Sequence, residues 1–234
     1  MSSAQLRTLL RQLHQTAADG LGDADLLERF VRDGDEAAFE LLVWRHGAMV
    51  LGACRRILRH HHDAEDAFQA TFLLLARKAR LVRRGAALAG WLHRVARRVA
   101  LRARGRAGRA AQLAGEGPAA PERESAAVWA DLRPVLDEEV GRLPEKYRLP
   151  VLLCYLGGLS TEEAARRLGC PRGTVLSRLA WARRRLRGRL ERRGLALSAG
   201  ALAAGLAREA ATAAAPAALA HAAVRAARWL KAGK

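Results

Sequence analysis

Residues 159–175 decide the fold of this chain, and their sequence is LSTEEAARRLGCPRGTV. Ser160 stands three residues before Glu163, which is the spacing of a capping box at the start of a helix. Gly169 supplies the turn that ends this helix, and Pro171 suits the start of another. The pattern predicts a helix-turn-helix and favours it over a plain helical hairpin with a solvated basic face.

The second helix of this motif is predicted to place its outer face in the major groove of DNA. Val175 and Leu179 would anchor its inner face. Side chains on the N-terminal half of such a helix reach base edges, whereas those further along contact phosphates. The candidate base-contacting residues are Arg172, Thr174, Ser177 and Arg178, and the candidate phosphate contacts are Arg183 and Arg184.

The composition of the whole chain favours helices. The sequence has 234 residues, of which 50% are hydrophobic and only 5% aromatic, and Ala, Leu and Arg dominate it. These three are strong helix formers, and a chain of this length can bury one medium core or two small ones. We therefore expect an all-α protein of two small helical domains.

Charge is distributed along the chain in alternating blocks. The net charge is +18, which makes a polyanion the natural partner because Arg and Lys release condensed counterions from phosphates. Residues 1–66 carry 8 basic and 11 acidic groups, 77–109 carry 12 and none, 110–163 carry 5 and 10, and 164–193 carry 11 and 1. The alternation predicts two separate DNA-facing patches and one or two acidic faces that another partner can use.

Helical spacing of apolar residues runs through residues 25–104 and predicts a helical bundle. Asp33 and Asp63, each followed by an acidic residue three positions later, are predicted to cap two of its helices. The last helix would be apolar on one face and cationic on the other. The first apolar stripe is Phe39, Leu42, Val43, Val50, Cys54 and Ile57, and the second is Trp91, Leu92, Val95 and Val99, opposite Arg94, Arg97, Arg98 and Arg102.

Glycine and proline mark the boundaries of the second domain. Residues 105–127 hold four glycines and two prolines with little periodicity, which predicts a flexible linker. Helical periodicity resumes over 128–193, where Pro150 predicts a kink or a late helix start. We assign 1–24 to an amphipathic N-terminal extension and 194–234 to an Ala-rich helical C-terminal extension.

The remaining residue types indicate neither catalysis nor metal binding. Three cysteines without a CxxC pair predict no disulfide framework and no zinc site, and they fit a reducing compartment. Adjacent His60, His61 and His62 would point in different directions on a helix, so a solvated loop is favoured over a metal site. The sequence has no glycine-rich phosphate loop, no serine nucleophile elbow and no His–acid set. We expect no catalytic residue, no metal and no cofactor.

Several strings are similar to those of a known family. Residues 143–148 (LPEKYR), 158–165 (GLSTEEAA) and 173–179 (GTVLSRL) resemble region 4 of extracytoplasmic-function (ECF) sigma factors. Residues 63–72 (DAEDAFQATF) resemble region 2.2 of that family, and 90–97 (GWLHRVAR) resemble the start of its promoter-reading helix. The two matches stand in the family's order, with the linker where larger sigma factors carry another domain.

The resemblance implies a function and assigns roles to residues. Region 2, at 25–104, would bind core RNA polymerase and recognise and melt the minus-ten element, and region 4, at 128–193, would recognise the duplex minus-thirty-five element. The implied partners are the clamp helices of the largest polymerase subunit, the flap, promoter DNA and an anti-sigma factor. The core-binding candidates are Asp63, Glu65, Asp66, Gln69 and Phe72; the minus-ten candidates are Trp91, Arg94, Arg97 and Arg98; and Trp181 joins the minus-thirty-five set.

Two positions depart from the family's pattern and leave the promoter sequence open. Leu176 stands where the family usually has a basic residue, and Trp181 stands where many members have Arg. Tryptophans such as Trp91 and Trp181 are more often packing residues than platforms on which bases stack.

A stand-alone helix-turn-helix regulator is the alternative, but it leaves residues 63–72 and the basic Trp91 helix without a role. The segment after Gly194 is interrupted by charges and falls short of the ~20 apolar residues of a membrane span. Residues 1–20 lack the apolar core of a signal peptide, so we expect a cytoplasmic protein. We expect the tail to pack weakly on the two DNA-binding domains or to offer a surface to another protein.

Overall fold

The computed structural model describes residues 21–58, 60–82, 88–113, 124–195 and 217–232, together with Leu202, Gly205 and Leu206. Within these ranges the chain is built from helices and turns without a strand, which confirms the all-α prediction. None of the described helices is both long and apolar enough to cross a membrane. The predicted N-terminal helix and the centre of the predicted linker, 114–123, lie outside the described residues.

Four helices form the first domain. They are α1 (Asp23–Arg32), α2 (Glu36–Ile57), α3 (His61–Lys78) and α4 (Leu88–Leu113), and a 3₁₀ turn at Ala79–Leu81 follows α3. α2 packs against the other three. All six residues of the first predicted stripe are buried, because residues three or four apart share one face of a helix. The predicted helical bundle is confirmed.

The caps of α2 and α3 differ from the prediction. Asp35, and not Asp33, is the N-cap of α2, and its carboxylate accepts a hydrogen bond of 3.1 Å from a backbone N–H three residues on. Asp33 ends α1 instead, and Gly34 takes the left-handed conformation (φ 72°) that joins the two helices. α3 begins after His60, so Asp63 lies within its first turn, where a negative charge interacts favourably with the helix dipole.

Helix covers both ends of the segment that we predicted as a flexible linker. α4 continues through Gly105 and Gly108 to Leu113, and the next helix starts at Glu124. A glycine inside a helix costs about 1 kcal/mol relative to alanine. The surrounding alanines and arginines favour helix strongly enough to outweigh two such costs, so the predicted boundaries at 104 and 128 fall inside helices.

The second domain is formed by α5 (Glu124–Gly141), α6 (Glu145–Val151), α7 (Thr161–Leu168) and α8 (Arg172–Glu191). α6 continues through Pro150, and the helix then widens into a π turn at Leu152–Leu156. Pro150 has no N–H to donate, so the hydrogen-bond ladder is interrupted just before the helix widens. The disturbance predicted at Pro150 is therefore a widening after it and not a late start.

The two domains share one apolar core. α5 packs on α2, and the π turn packs on both α2 and α4. Leu152, Leu153 and Leu156 of that turn are at most 7% exposed. Burying a leucine side chain contributes roughly 1.5–3 kcal/mol, so this contact between the domains is substantial.

The described part of the C-terminal extension packs on the first domain. Its helix α9 (Ala217–Ala232) lies against α2 and α3. The His221 ring meets Trp44 edge-on with centroids 5.7 Å apart, and its Nδ1 lies 3.6 Å from a Glu40 carboxylate oxygen. The extension thus packs more closely than we expected, since its apolar face is buried at Leu219, Ala220, Ala223 and Ala227.

Candidate promoter and polymerase interfaces

The helix-turn-helix is formed by α7 and α8, as predicted. Ser160 Oγ accepts a hydrogen bond of 3.2 Å from the Glu163 N–H, and the Ser160 N–H donates one of 2.8 Å to Glu163 Oε2. Hydrogen bonds from the side chain and backbone of Ser160 hold the pKa of Glu163 below its usual range. Gly169 ends α7 with φ 60°, a conformation that strains other residues. The capping box and Gly169 together fix the direction in which α8 leaves the turn.

The inner face of α8 is apolar along its whole length. Val175 is 0% and Leu179 is 4% exposed, which confirms both predicted anchors. Three further residues at helical spacing continue this buried face to the end of α8. They are Ala182, Leu186 and Leu190.

The predicted DNA-contact residues of α8 differ in exposure. Ser177, Arg183 and Arg184 are exposed, whereas Thr174 and Arg178 are half-buried. Arg172 is exposed, but its Nε lies 2.9 Å from a Glu162 carboxylate oxygen and 3.3 Å from Thr161 Oγ1. The first residue of α8 is therefore held across the turn by two residues of α7.

Trp181 lies in a packing contact and not on the outer face with Arg183 and Arg184. Its ring stacks on the Tyr147 ring with centroids 3.7 Å apart and an angle of 16° between the planes. Such a stack covers one face of the indole, and the residue is half-buried. The structure thus gives Trp181 a packing contact between α6 and α8, and its DNA contact stays a prediction.

The cationic face of α4 borders a groove against α5. Arg94 and Arg98 are exposed, Arg97 is partly exposed and Trp91 is half-buried against the core. A hydrogen bond from Arg193, and the positive charges of Arg193, Arg142 and Arg97, lower the pKa of Glu138 on the α5 side. The groove encloses about 640 Å³ and is lined by His93, Arg94, Arg97, Arg98, Leu101 and Arg102 of α4 and by Glu138, Gly141 and Arg142 of α5.

The predicted polymerase-facing residues of α3 fall into two groups. Asp66 is exposed, and Asp63, Glu65 and Gln69 are partly exposed. Phe72 is 0% exposed, and its ring lies 4.9 Å from the Phe68 ring in the core. The assignment of Phe72 to a direct polymerase contact is therefore wrong, because the side chain faces inward on the apolar side of α3.

Three side chains at the start of α3 could offer ligand atoms to a metal ion. The ligand atoms of His61, His62 and Glu65 lie within 4.8 Å of one another, and both histidines belong to α3 and not to a loop. Arg55 Nη2 lies 3.1 Å from His61 Nε2. A guanidinium at that distance repels a cation, so the absence of a metal stays our prediction.

Sequence reasoning missed a buried ionic cluster at Asp137. This residue of α5 is 1% exposed, and its carboxylate accepts a hydrogen bond of 2.9 Å from Arg56 Nε on α2. His93 Nε2 on α4 lies 3.4 Å from the other carboxylate oxygen. Asp137 directly follows Leu136, a buried residue of α5, and this position is compatible with burial. No sequence pattern shows which distant charged residues contact Asp137.

A capped helix-turn-helix with an exposed cationic face, together with a second cationic helix, is an arrangement typical of DNA-binding proteins. Comparison with known families gives the class of DNA-binding protein. Residues 42–110 match the model of Sigma-70 region 2, and residues 134–186 match that of Sigma-70, region 4.

Three relatives extend this likeness over most of the chain. The ECF RNA polymerase sigma factor SigE of Mycolicibacterium smegmatis is 36% identical over 172 residues, covering 68% of this chain and 65% of that protein. The RNA polymerase sigma-H factor of Pseudomonas aeruginosa is 32% identical, with 69% and 90% covered. The ECF RNA polymerase sigma-E factor of Haemophilus influenzae is 31% identical, with 74% and 98% covered. The chain belongs to the ECF subfamily of RNA polymerase sigma factors, and it directs promoter-specific transcription initiation.

Proposed function

We propose that this sigma factor binds core RNA polymerase through α3 and contacts promoter DNA through α4 and α8. The observation that carries the proposal is the setting of α8, whose capped neighbour and left-handed Gly169 leave Ser177, Arg183 and Arg184 exposed. An exposed second helix of a helix-turn-helix fits the major groove. The second domain thus contacts the duplex minus-thirty-five element, and the first domain contacts the minus-ten element.

Residues along α8 make two kinds of DNA contact, to base edges and to phosphates. Thr174, Ser177 and Arg178 lie in its N-terminal half and contact base edges, whereas Arg183 and Arg184 contact phosphates. To contact DNA, Arg172 gives up its ion pair with Glu162. This exposed pair stabilises the fold by at most about 1 kcal/mol. This exchange costs little beside a good bidentate contact to a base.

The cationic face of α4 serves the melted minus-ten element. Arg94, Arg97 and Arg98 hold phosphates of the single strand, since cationic grooves bind single strands with little dependence on sequence. Trp91 is half-buried, so it supports the start of α4 and contributes at most one edge to a base.

The acidic side of α3 docks on the clamp helices of the largest polymerase subunit, and the second domain meets the flap. Asp66 is the exposed centre of this surface, with Asp63, Glu65 and Gln69 beside it, and Phe72 holds α3 in place from the core. Asp66→Arg should weaken association with core enzyme in a pull-down while helical content stays unchanged. Glu28→Arg reverses an exposed charge on α1 and should bind as the wild type does. Equal binding by both variants would remove this surface.

The C-terminal extension acts as a regulatory appendage. α9 lies on α2 and α3, and α3 is the helix that carries the polymerase-facing surface. A chain that ends at Arg193 should keep core binding and promoter-specific initiation, with less thermal stability because the apolar face under α9 is uncovered. An insoluble truncated chain, or one that cannot bind core, would make α9 a required part of the fold.

An anti-sigma factor is a further partner that the ECF family suggests.

The decisive experiment is run-off transcription with purified core polymerase on genomic fragments. The protein acts by binding and not by catalysis, in the cytoplasm with the polymerase, so transcripts should require both proteins and start at a limited set of sites. A stand-alone regulator is the alternative function. It would bind paired half-sites as a dimer without polymerase, and such binding together with no run-off product would favour it.

A further inference from the structure

The outer face of α9 has a composition typical of a protein interface. Trp229 is 79% exposed, and Arg225, one turn before it, is also exposed. α9 carries no acidic residue, so this face is apolar and cationic. Tryptophan and arginine are enriched among the residues that dominate binding free energy at protein interfaces. The exposed indole is therefore a candidate contact for a partner.

The direction of α9 places Trp229 at a defined end of the first domain. His221 contacts Trp44 of α2, whereas Arg228, about two turns later, lies 3.4 Å from Glu36, the first residue of α2. α9 therefore runs antiparallel to α2 and ends beside the start of α2.

α3 finishes at the same end of the domain. α2 and α3 pack on each other and are joined by residues 58–60, so they also run antiparallel. Leu81, in the 3₁₀ turn that follows α3, is 73% exposed. We call this region the α3–α9 end, and its exposed residues are Arg77, Lys78, Arg80, Leu81, Arg225, Arg228 and Trp229. The α3–α9 end is thus apolar and basic.

α9 lies on the side of α2 that faces away from the groove between α4 and α5. Glu40 of α2 contacts His221 of α9, whereas Arg56 of α2 contacts Asp137 of α5. Glu40 and Arg56 are sixteen positions apart, which separates them by about 160° around the helix axis. A strand that binds the cationic face of α4 therefore approaches the opposite side of α2, and the α3–α9 end is free to contact another partner.

The proposed polymerase-facing surface adjoins the α3–α9 end. Asp66 stands twelve residues before Lys78, the last residue of α3, and this spacing corresponds to roughly 18 Å along the helix axis. A standard protein interface buries about 800 Å² on each partner, which is a patch roughly 30 Å across. One partner of ordinary interface size can therefore cover both Asp66 and the α3–α9 end.

We propose that the α3–α9 end is a second contact of this sigma factor with core RNA polymerase, in which Trp229 enters an apolar pocket edged by acidic groups. The inference rests on the proposed docking of α3 on the polymerase. Asp66 faces basic groups of the polymerase, and Arg225 beside Trp229 faces acidic ones, so the two contacts together fix the orientation of the domain. α9 lies beyond the residues that match the two family models, so this contact is an addition made by the C-terminal extension.

The first test compares two full-length variants in their affinity for immobilised core polymerase. Trp229→Ala should bind core at least about fivefold more weakly than the wild type, because a buried interface tryptophan contributes strongly to binding. Its helical content and thermal unfolding should not change, since Trp229 is exposed. The chain that ends at Arg193 keeps the α3 surface, so it should still bind core, with a similar loss.

The matched control moves the tryptophan along α9. Ala218 is exposed eleven residues earlier, about three turns away on the same face of the helix. Ala218→Trp combined with Trp229→Ala should bind core as weakly as Trp229→Ala alone. Wild-type affinity in Trp229→Ala would overturn the inference, and so would recovery of affinity in the combined variant, which would show that any exposed indole on α9 suffices. Tighter binding by Trp229→Ala would make α9 a shield over α3 and would also overturn it.

Photo-cross-linking identifies the partner directly. The photoreactive residue p-benzoylphenylalanine is placed at position 229 or at position 218 of the full chain, and each protein is irradiated in the complex with core polymerase and promoter DNA. A cross-link to a polymerase subunit should form from position 229 and not from position 218. A cross-link from position 229 to DNA in place of a polymerase subunit would contradict the inference.

The variants of α3 separate this contact from the proposed docking surface. If Asp66→Arg binds core as Glu28→Arg does, the α3 surface fails and the inference loses its basis. If Asp66→Arg binds weakly while Trp229→Ala binds as the wild type does, the role of α3 stands and the contact at the α3–α9 end alone is wrong.

Discussion

Two helices of this sigma factor, α4 and α8, have one apolar face and one cationic face each, but they are held in place differently. α8 is set by neighbours in sequence, through the Ser160 capping box and the left-handed Gly169. α4 is held by distant residues, because Asp137 of α5 contacts His93 of α4. Local signals therefore orient the helix-turn-helix, whereas the position of α4 depends on contacts between residues far apart in the sequence.

The largest expected effect tests whether α4 and α8 belong to one cooperative core. Leu92 on α4 and Leu186 on α8 are both 0% exposed, and both lie in the core that the domains share. Leu92→Ala and Leu186→Ala should each lower the free energy of unfolding by roughly 2–5 kcal/mol. Circular dichroism during denaturant unfolding should show a single transition that shifts in both variants.

Leu176→Ala is the control for these two substitutions. This leucine of α8 is 45% exposed, so its loss should change the free energy of unfolding by no more than about 0.5 kcal/mol. Two separate transitions, with Leu92→Ala shifting only one of them, would show that the domains unfold independently and would weaken the contrast between the two helices.

Two arginines of α8 should separate base contact from phosphate contact. Arg178→Ala should cost roughly 1–3 kcal/mol of binding free energy at one position of the cognate minus-thirty-five element. Arg184→Ala should weaken binding evenly on cognate and scrambled duplexes, because Arg184 is exposed further along α8, where we propose phosphate contacts. Fluorescence anisotropy with both duplexes makes the measurement. Identical losses for both variants on both duplexes would mean that α8 binds phosphates alone.

The sequence predicts structure that depends on neighbouring residues, as at α8, better than structure that depends on distant ones, as at α4. The helix-turn-helix was predictable to the residue, since Ser160, Glu163 and Gly169 act on backbone groups a few positions away. Phe72 was misassigned because a family string marks a segment and not the side of its helix that faces the core. The pairing of Arg56 with Asp137 spans 81 positions, and no local rule connects residues so far apart.

The next expected effect is smaller and concerns the capping box that precedes α8. Ser160→Ala removes the capping box and should lower the free energy of unfolding by about 1 kcal/mol at neutral pH. Glu163 has a folded pKa below its unfolded value, so its contribution is present above the unfolded pKa and is lost as pH falls through the folded pKa. The difference between Ser160→Ala and wild type should therefore shrink in acid. Ser177→Ala, which removes an exposed hydroxyl within α8, should show no such pH dependence.

The smallest expected effect concerns the kind of nucleic acid, single strand or duplex, that we propose for α4 and for α8. Releasing one phosphate contact changes the slope of log affinity against log salt by about 0.7 for a single strand and about 0.9 for a duplex. Arg98→Ala on α4 should lower the slope by the first amount on a minus-ten single strand bound to the polymerase complex, because Arg98 is exposed on the cationic face. Arg184→Ala on α8 should lower it by the second amount on a minus-thirty-five duplex. Each variant should leave the slope on the other probe unchanged, and an Arg98→Ala effect confined to the duplex would reverse the roles that we assign to the two helices.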